Sequence, residues 1–395
     1  MRNTIIALSM TILMSGLQTV FGQNYDESKV GTYTLPDVLI SENKTKISTV
    51  KDWETIRRPE IISLFEEHVY GKMPSRPPKI SYRVVSEDQK AMGGKAILRN
   101  IEITVQEKNE SLKINVVLFV PKLRNKPAPA FLLINNRSPK NTLASRDTIS
   151  GFWPAEQVIA SGYAIAAFHY ADAAPDHKDT YQNGVLRLYP ELAKADNGMK
   201  AVGAWAWASS RVMDYLETDK DINSKRVGLV GHSRGGKAAL WASAMDQRFA
   251  ICFSNCSGNT GAALSKRNFG ETVARINTQF PHWFSNNYKK YNNNEQALPV
   301  DQHMLIALIA PRPVYVTNAS EDLWADPTGT FLALKNAEPV FSLYKQNSKL
   351  PAVPPGIDIP LISLPLGYHN RTGIHDMTFY DWAQFIRFAD AVYIK

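Results

Sequence analysis

A chain of 395 residues with 44% hydrophobic and 21% charged side chains has the balance of a folded globular protein, far from the low-hydrophobicity, high-charge regime of disorder. Its length allows one large domain or two smaller ones. A net charge of +8 favours acidic partners, but lysine and arginine are scattered without a long basic run or recognition-motif spacing, so no nucleic acid is expected and an anionic polysaccharide fits better.

The chain opens with Arg2 ahead of an apolar run from Ile5 to Leu13, then Val20-Phe21-Gly22 before polar Gln23. This pattern predicts a signal peptide over residues 1–22, cut after Gly22. Interrupted by Ser9, Thr11, Ser15, Gly16 and Gln18, the run falls short of the ~20 residues needed to span a bilayer. Secretion or a periplasmic location is therefore expected, with no stable membrane association after cleavage. Residues 23 to about 80 read as a polar, proline-punctuated wrap. One helical patch from Thr55 to Val69 stands out, with Ile61, Ile62, Phe65 and Val69 at helical spacing.

Strand patterns follow at Ile101–Gln106, Leu112–Val120, Ala130–Ile134 and Ala164–Phe168, the last two being short apolar runs suited to strands buried on both faces. Met199–Leu216 predicts a long helix, Arg226–Val230 a strand, Lys237–Met245 a helix, and Phe249–Phe253 and Pro313–Thr317 two more strands. Strands alternating with helices predict a doubly wound, mainly parallel sheet in a three-layer α/β/α sandwich, with ligands at the carboxyl ends of the strands. Residues 23–395 are expected to form a single catalytic domain, and a monomer. The two cysteines, Cys252 and Cys256, lie on one extended run. At about 3.3 Å per residue they stand roughly 13 Å apart, too far for a disulfide. Without a second ligand pair they do not suggest zinc, and no metal constellation is expected.

The strongest local signal is Arg226-Val-Gly-Leu-Val-Gly231-His232-Ser233-Arg234-Gly235-Gly236-Lys237, a strand, then Gly-x-Ser-x-Gly, then a helix. Glycines permit the sharp turn that lifts Ser233 above the sheet, and the helix start offers backbone N–H groups to an oxyanion. A serine hydroxyl needs a base and an orienting carboxylate, in chain order Ser, Asp or Glu, His. The loop after Pro313–Thr317 supplies Glu321, Asp322 and Asp326, of which Glu321 and Asp326 read as solvated surface residues. A glycine-flanked loop before a final helix supplies His369 and His375. Arg234 and Lys237 put cations at the positive end of a helix dipole, costing about 0.3–1 kcal/mol each. They either hold an oxyanion or an anionic substrate, or pair with a carboxylate such as Glu271.

With these motifs the chain resembles the glucuronoyl esterases, carbohydrate esterase family 15, in their bacterial form and of the α/β-hydrolase type. The likeness runs from about Trp153 to the C-terminus, through Gly231–Lys237, Phe269–Asn277, Phe280–Phe284, Leu298–Met304, Glu321–Pro327 and Gly373–Asp376. The resemblance implies hydrolysis of the ester joining (4-O-methyl)glucuronic acid of glucuronoxylan to a lignin-type or simple alcohol, without a cofactor. It implies Ser233 as nucleophile, His375 as base in preference to His369, and Arg234 as an aid to the oxyanion. Lys237, Glu271 and Trp324 fall at sugar-binding positions. Many members carry the triad acid just past the strand after the nucleophile helix, where this chain has Cys256. Others carry it after the following strand, which matches Asp322. The competing expectations are a deacetylase of xylan with the same triad and a carbohydrate-binding protein on a decayed hydrolase scaffold.

Overall fold

The computed structural model describes residues 23–74 and 79–393. The expected signal peptide lies outside the described residues. Nine strands form one sheet in the order β1-β2-β3-β5-β4-β6-β7-β8-β9. They are β1 (Lys79–Lys90), β2 (Ala96–Glu107), β3 (Glu110–Pro121), β4 (Ala128–Asn135), β5 (Ala164–His169), β6 (Ile222–His232), β7 (Ile251–Asn255), β8 (Val314–Ala319) and β9 (Leu366–Arg371).

The first three strands are antiparallel and β3 pairs antiparallel with β5. From β5 to β9 every pairing is parallel. Burial explains the division. β2 alternates between buried and half-buried positions, as a strand with one wetter face does. β7 and β8 are buried at every residue, as strands covered on both sides are, and each opens on three apolar residues before its polar carboxyl end.

One face carries a helical run over residues 50–70 and the helices Ala201–Leu216, Arg234–Met245 and Pro327–Leu343; its core includes Phe65, Trp205, Trp241 and Phe331. The other face carries Ala155–Ala160 and Phe379–Tyr393 over Val158, Trp382, Phe385 and Phe388. This is the expected α/β/α sandwich. Among the described residues no helix is long and apolar enough to cross a membrane.

The wrap is bound to the body through its helix. Thr49 caps the start by accepting from the Asp52 amide, and the run passes through two π turns before stopping at Gly71, φ 81°. A Cβ on Gly71 would lie 2.3 Å from the Gly198 carbonyl oxygen, so only glycine fits. Just before it, Tyr70 stacks on Trp241 of the helix that follows Ser233, with centroids 4.7 Å apart and planes at 7°. Its hydroxyl donates to the Thr260 carbonyl at 2.6 Å.

Two segments depart from the sequence expectations. His369, expected in a loop, lies on β9, and its ring is fully buried between Asp381 and Tyr315. Asp326, expected at the solvated surface, is 2% exposed. It caps the helix Pro327–Leu343 by accepting from the Gly329 amide and pairs with Arg267 at 3.0 Å. Burial raises its pKa to about 6 despite that pair. Glu321 is exposed, as expected.

Candidate active site

Five of the six parallel strands each deliver a polar side chain from the loop at their carboxyl end: Asp176 beyond β5, Arg137 beyond β4, Ser233 beyond β6, Asp322 beyond β8 and His375 beyond β9. That end is where open α/β sheets place their ligands.

Ser233 occupies the junction of β6 and the helix Arg234–Met245 with φ 53° and ψ −126°, a conformation a non-glycine residue holds only under constraint. The constraint is visible. Its amide donates to the Asn255 carbonyl of β7 at 2.8 Å, and Gly231 leaves no space for a side chain, since a Cβ there would meet the Gly235 carbonyl oxygen at 2.0 Å. The first helical amides, at Arg234 and Gly235, have no carbonyl one turn back to bond, so they stay available beside the hydroxyl.

His375 Nδ1 lies 2.5 Å from Asp322 Oδ2. Because the carboxylate only accepts, Nδ1 carries the proton and Nε2 keeps a lone pair. Asp322 is 6% exposed, while the His375 side chain stays open to solvent at 39%. The two loops are stitched together by the amides of Ser320 and Glu321, which donate to the carbonyls of Arg371 and Gly373. His232, the residue before Ser233, packs its ring 4.6 Å from that of His375. Burial, then the nearby His375 and Arg137, holds the His232 pKa well below the ordinary histidine value, so it is neutral. Its Nδ1 donates to Asn255 Oδ1 at 2.5 Å and its Nε2 accepts from Arg137 at 3.2 Å.

Beneath His375, sequence reading missed a brace. Arg371 donates to the carbonyls of Thr372, Ile374 and Asp376, the loop that carries His375, and its own Nε is held by Asp381 at 2.9 Å. Asp381 also receives Asn255 and His369. His369, the rival base, is thus committed to a buried network, and His375 is the histidine that meets the acid loop.

Both cations at the start of the helix Arg234–Met245 are paired. Lys237 is 2% exposed and bonds Glu271 Oε2 at 2.7 Å and the Asn259 carbonyl. Burial lowers its pKa, with Glu271 opposing. Glu271 is held by its own backbone, whose N–H donates to the Trp324 carbonyl at 2.9 Å and whose C=O accepts from Asn259. This places Lys237 and Glu271 beside the backbone of half-buried Trp324. Arg234 pairs with Asp176, not with Glu271, and lies over the Trp283 ring at 4.8 Å. Asp176 in turn accepts from His282 at 2.8 Å and Trp283 at 2.7 Å. Although burial raises the pKa of Asp176, the His282 bond and the Arg234 charge outweigh it and leave the carboxyl below its ordinary value. Nothing in the spacing of Asp176 or Arg137 marked them; their place just beyond β5 and β4 was the available signal.

Comparison with known proteins fits this geometry. Residues 103–344 match the family model described as glucuronyl esterase of fungi. The chain is 40% identical over 407 residues, 93% of itself and 92% of the other, to carbohydrate esterase MZ0003 from an unknown prokaryotic organism. The chain belongs to the glucuronoyl esterase family. It superposes on the solved glucuronoyl esterase from Solibacter usitatus with a TM-score of 0.88 at 40% identity, covering 93% of this chain and all of that one. A 4-O-methyl-glucuronoyl methylesterase from Wolfiporia cocos is 27% identical over 82% of this chain and 73% of its own. In this glucuronoyl esterase the loop after β7 carries Cys256, 1% exposed, and it is Asp322 from the loop after β8 that reaches His375.

Proposed function

We propose that this protein hydrolyses the ester linking (4-O-methyl)glucuronic acid of glucuronoxylan to an alcohol, by acyl transfer through Ser233. The observation that carries the proposal is the 2.5 Å His375–Asp322 pair, with the His375 ring 4.6 Å from that of His232, the residue before the constrained Ser233, and with Lys237 of the following helix paired to Glu271.

His375 Nε2 takes the Ser233 proton as Oγ attacks the uronoyl carbonyl. Asp322 holds the ring in the Nδ1–H tautomer and stabilises its imidazolium form. The tetrahedral oxyanion meets the first amides of the helix Arg234–Met245 and the Arg234 guanidinium, which Asp176 and Trp283 keep from collapsing into solvent. His375 then returns the proton to the leaving alcohol, and a water repeats the sequence on the acyl-enzyme. An esterified uronate has no free carboxylate, so its pocket needs paired donors and acceptors for hydroxyls more than it needs net charge. Lys237 beside Glu271 supplies both, and Trp324 offers a face for the sugar ring. Export by the leader of residues 1–22 would bring the enzyme to such a polysaccharide, and it works as a monomer in this account.

The substrate assignment is tested by following acid release from benzyl glucuronate and from an acetylated sugar. Cleavage of the uronoyl ester with little acetate release is expected; acetate release alone would move the assignment to a deacetylase.

A further inference from the structure

One group against His375 is used by no step of the reaction. Cys256 Sγ, a carboxylate oxygen of Asp322 and a ring nitrogen of His375 all lie within 4.8 Å of one another, the one such cluster among the described residues. The Cys256 backbone is held at φ 46° by a hydrogen bond of 2.8 Å from its N–H to the Thr317 carbonyl, which fixes the Cα from which the thiol projects. The thiol donates weakly to the Asp376 carbonyl at 3.8 Å, which leaves the sulfur lone pairs uncommitted. Thiolate, imidazole and carboxylate are the donors a zinc-class cation takes, with bonds of about 2.0–2.3 Å and hence donor separations of about 3.3–3.8 Å. The three donor atoms lie within 4.8 Å of one another, so a cation needs the 2.5 Å contact of His375 with Asp322 to open by about 0.8 Å and the sulfur to move in by at most about 1 Å.

We propose that Cys256, Asp322 and His375 form an inhibitory site for a borderline divalent cation, zinc foremost, that switches the esterase off. The inference rests on the reading of Asp322 and His375 as acid and base. As the metal binds, the Cys256 thiol releases its proton to solvent and bonds through sulfur. The metal takes His375 Nδ1, so that ring proton moves to Nε2. With Nε2 protonated, the ring cannot accept the Ser233 proton, and Asp322 no longer orients it. Burial and the nearby carboxylates of Asp322 and Asp381 raise the thiol pKa well above its ordinary value, so without metal the group is protonated and inert. Magnesium and calcium, which demand several oxygen ligands, do not suit this set.

The test titrates zinc chloride into the full exported chain during hydrolysis of benzyl glucuronate, for wild type and Cys256→Ala. Zinc is expected to inhibit wild type reversibly, with activity restored by EDTA, and magnesium to leave it unchanged. The inhibition midpoint should rise at least about tenfold in Cys256→Ala, the scale on which losing a metal-supporting group acts. An equal midpoint in both proteins would overturn the proposal. Cobalt(II) titration of the wild type gives a readout independent of folding of the variant and of turnover. A thiolate-to-cobalt charge-transfer band that survives Cys252→Ala is expected, and its absence overturns the site. If benzyl glucuronate is not cleaved at all, the esterase reading fails, while the cobalt band still decides the metal site.

Discussion

At the scale of single residues, the site divides between groups that meet the reacting atoms and groups that hold them. Asp322→Asn removes the acceptor that fixes the His375 tautomer, so kcat should fall by about 10⁴ with KM little changed, measured by steady-state kinetics on benzyl glucuronate. Because Cys256 lies within 4.8 Å of the His375 ring, Cys256→Asp in the Asp322→Asn background should return part of that loss; no recovery would show that the β7 loop cannot orient the base in this chain. Lys237 and Glu271 are both buried, and removing one strands the other. Lys237→Met should therefore cost about 3–5 kcal/mol of stability, and the Lys237→Met/Glu271→Leu pair distinctly less, as urea midpoints would report. The elbow motif marked Ser233, whereas chain order left Glu321, Asp322, Asp326 and two histidines open, and the family resemblance singled out Asp322 and His375. Asp176 was not legible: its partners Arg234, His282 and Trp283 come from segments more than 50 residues away, and only the fold brings them together.

At the scale of elements, the short apolar runs that became β4, β5, β7 and β8 were readable because burial on both faces keeps their polar residues towards the carboxyl ends. The two strands that escaped did so for opposite reasons. β1 is an edge strand exposed along nearly its whole length, so no alternation marks it. β9 is buried, yet it carries His369, Asn370 and Arg371, whose polarity imitates a loop until Asp381 of the last helix is seen to satisfy two of them. That carboxylate is the hinge of the element. Burial raises its pKa, but His369 and Arg371 outweigh burial and hold it below the ordinary aspartate value. A depressed aspartate contributes stability that is complete above about pH 3.9 and is lost as pH falls through the folded-state value. Asp381→Asn should thus destabilise the protein by about 3–5 kcal/mol at neutral pH, with the deficit relative to wild type shrinking in strong acid. Denaturant melts at pH 7 and pH 3 check both parts. Since Arg371 braces the His375 loop, the same variant should lose kcat more than KM.

For the whole molecule, the sheet, its two helical layers and the wrap share packed surfaces, with Phe65 and Tyr70 of the wrap seated against Trp241 of the nucleophile helix. Unfolding should therefore be a single transition, with far-UV circular dichroism and tryptophan fluorescence coincident; separated transitions would divide the wrap from the body. The layer order and parallel sheet were legible from periodicity, whereas the tie between wrap and body rests on aromatic contacts between segments far apart in sequence. The central claim is that this scaffold cleaves uronoyl esters through Ser233, and the most direct measurement is acid release from benzyl glucuronate by purified wild type and Ser233→Ala. Turnover in wild type with a loss of several orders of magnitude in a folded Ser233→Ala is the predicted result; comparable rates in the two proteins, or an inert folded wild type, would contradict it.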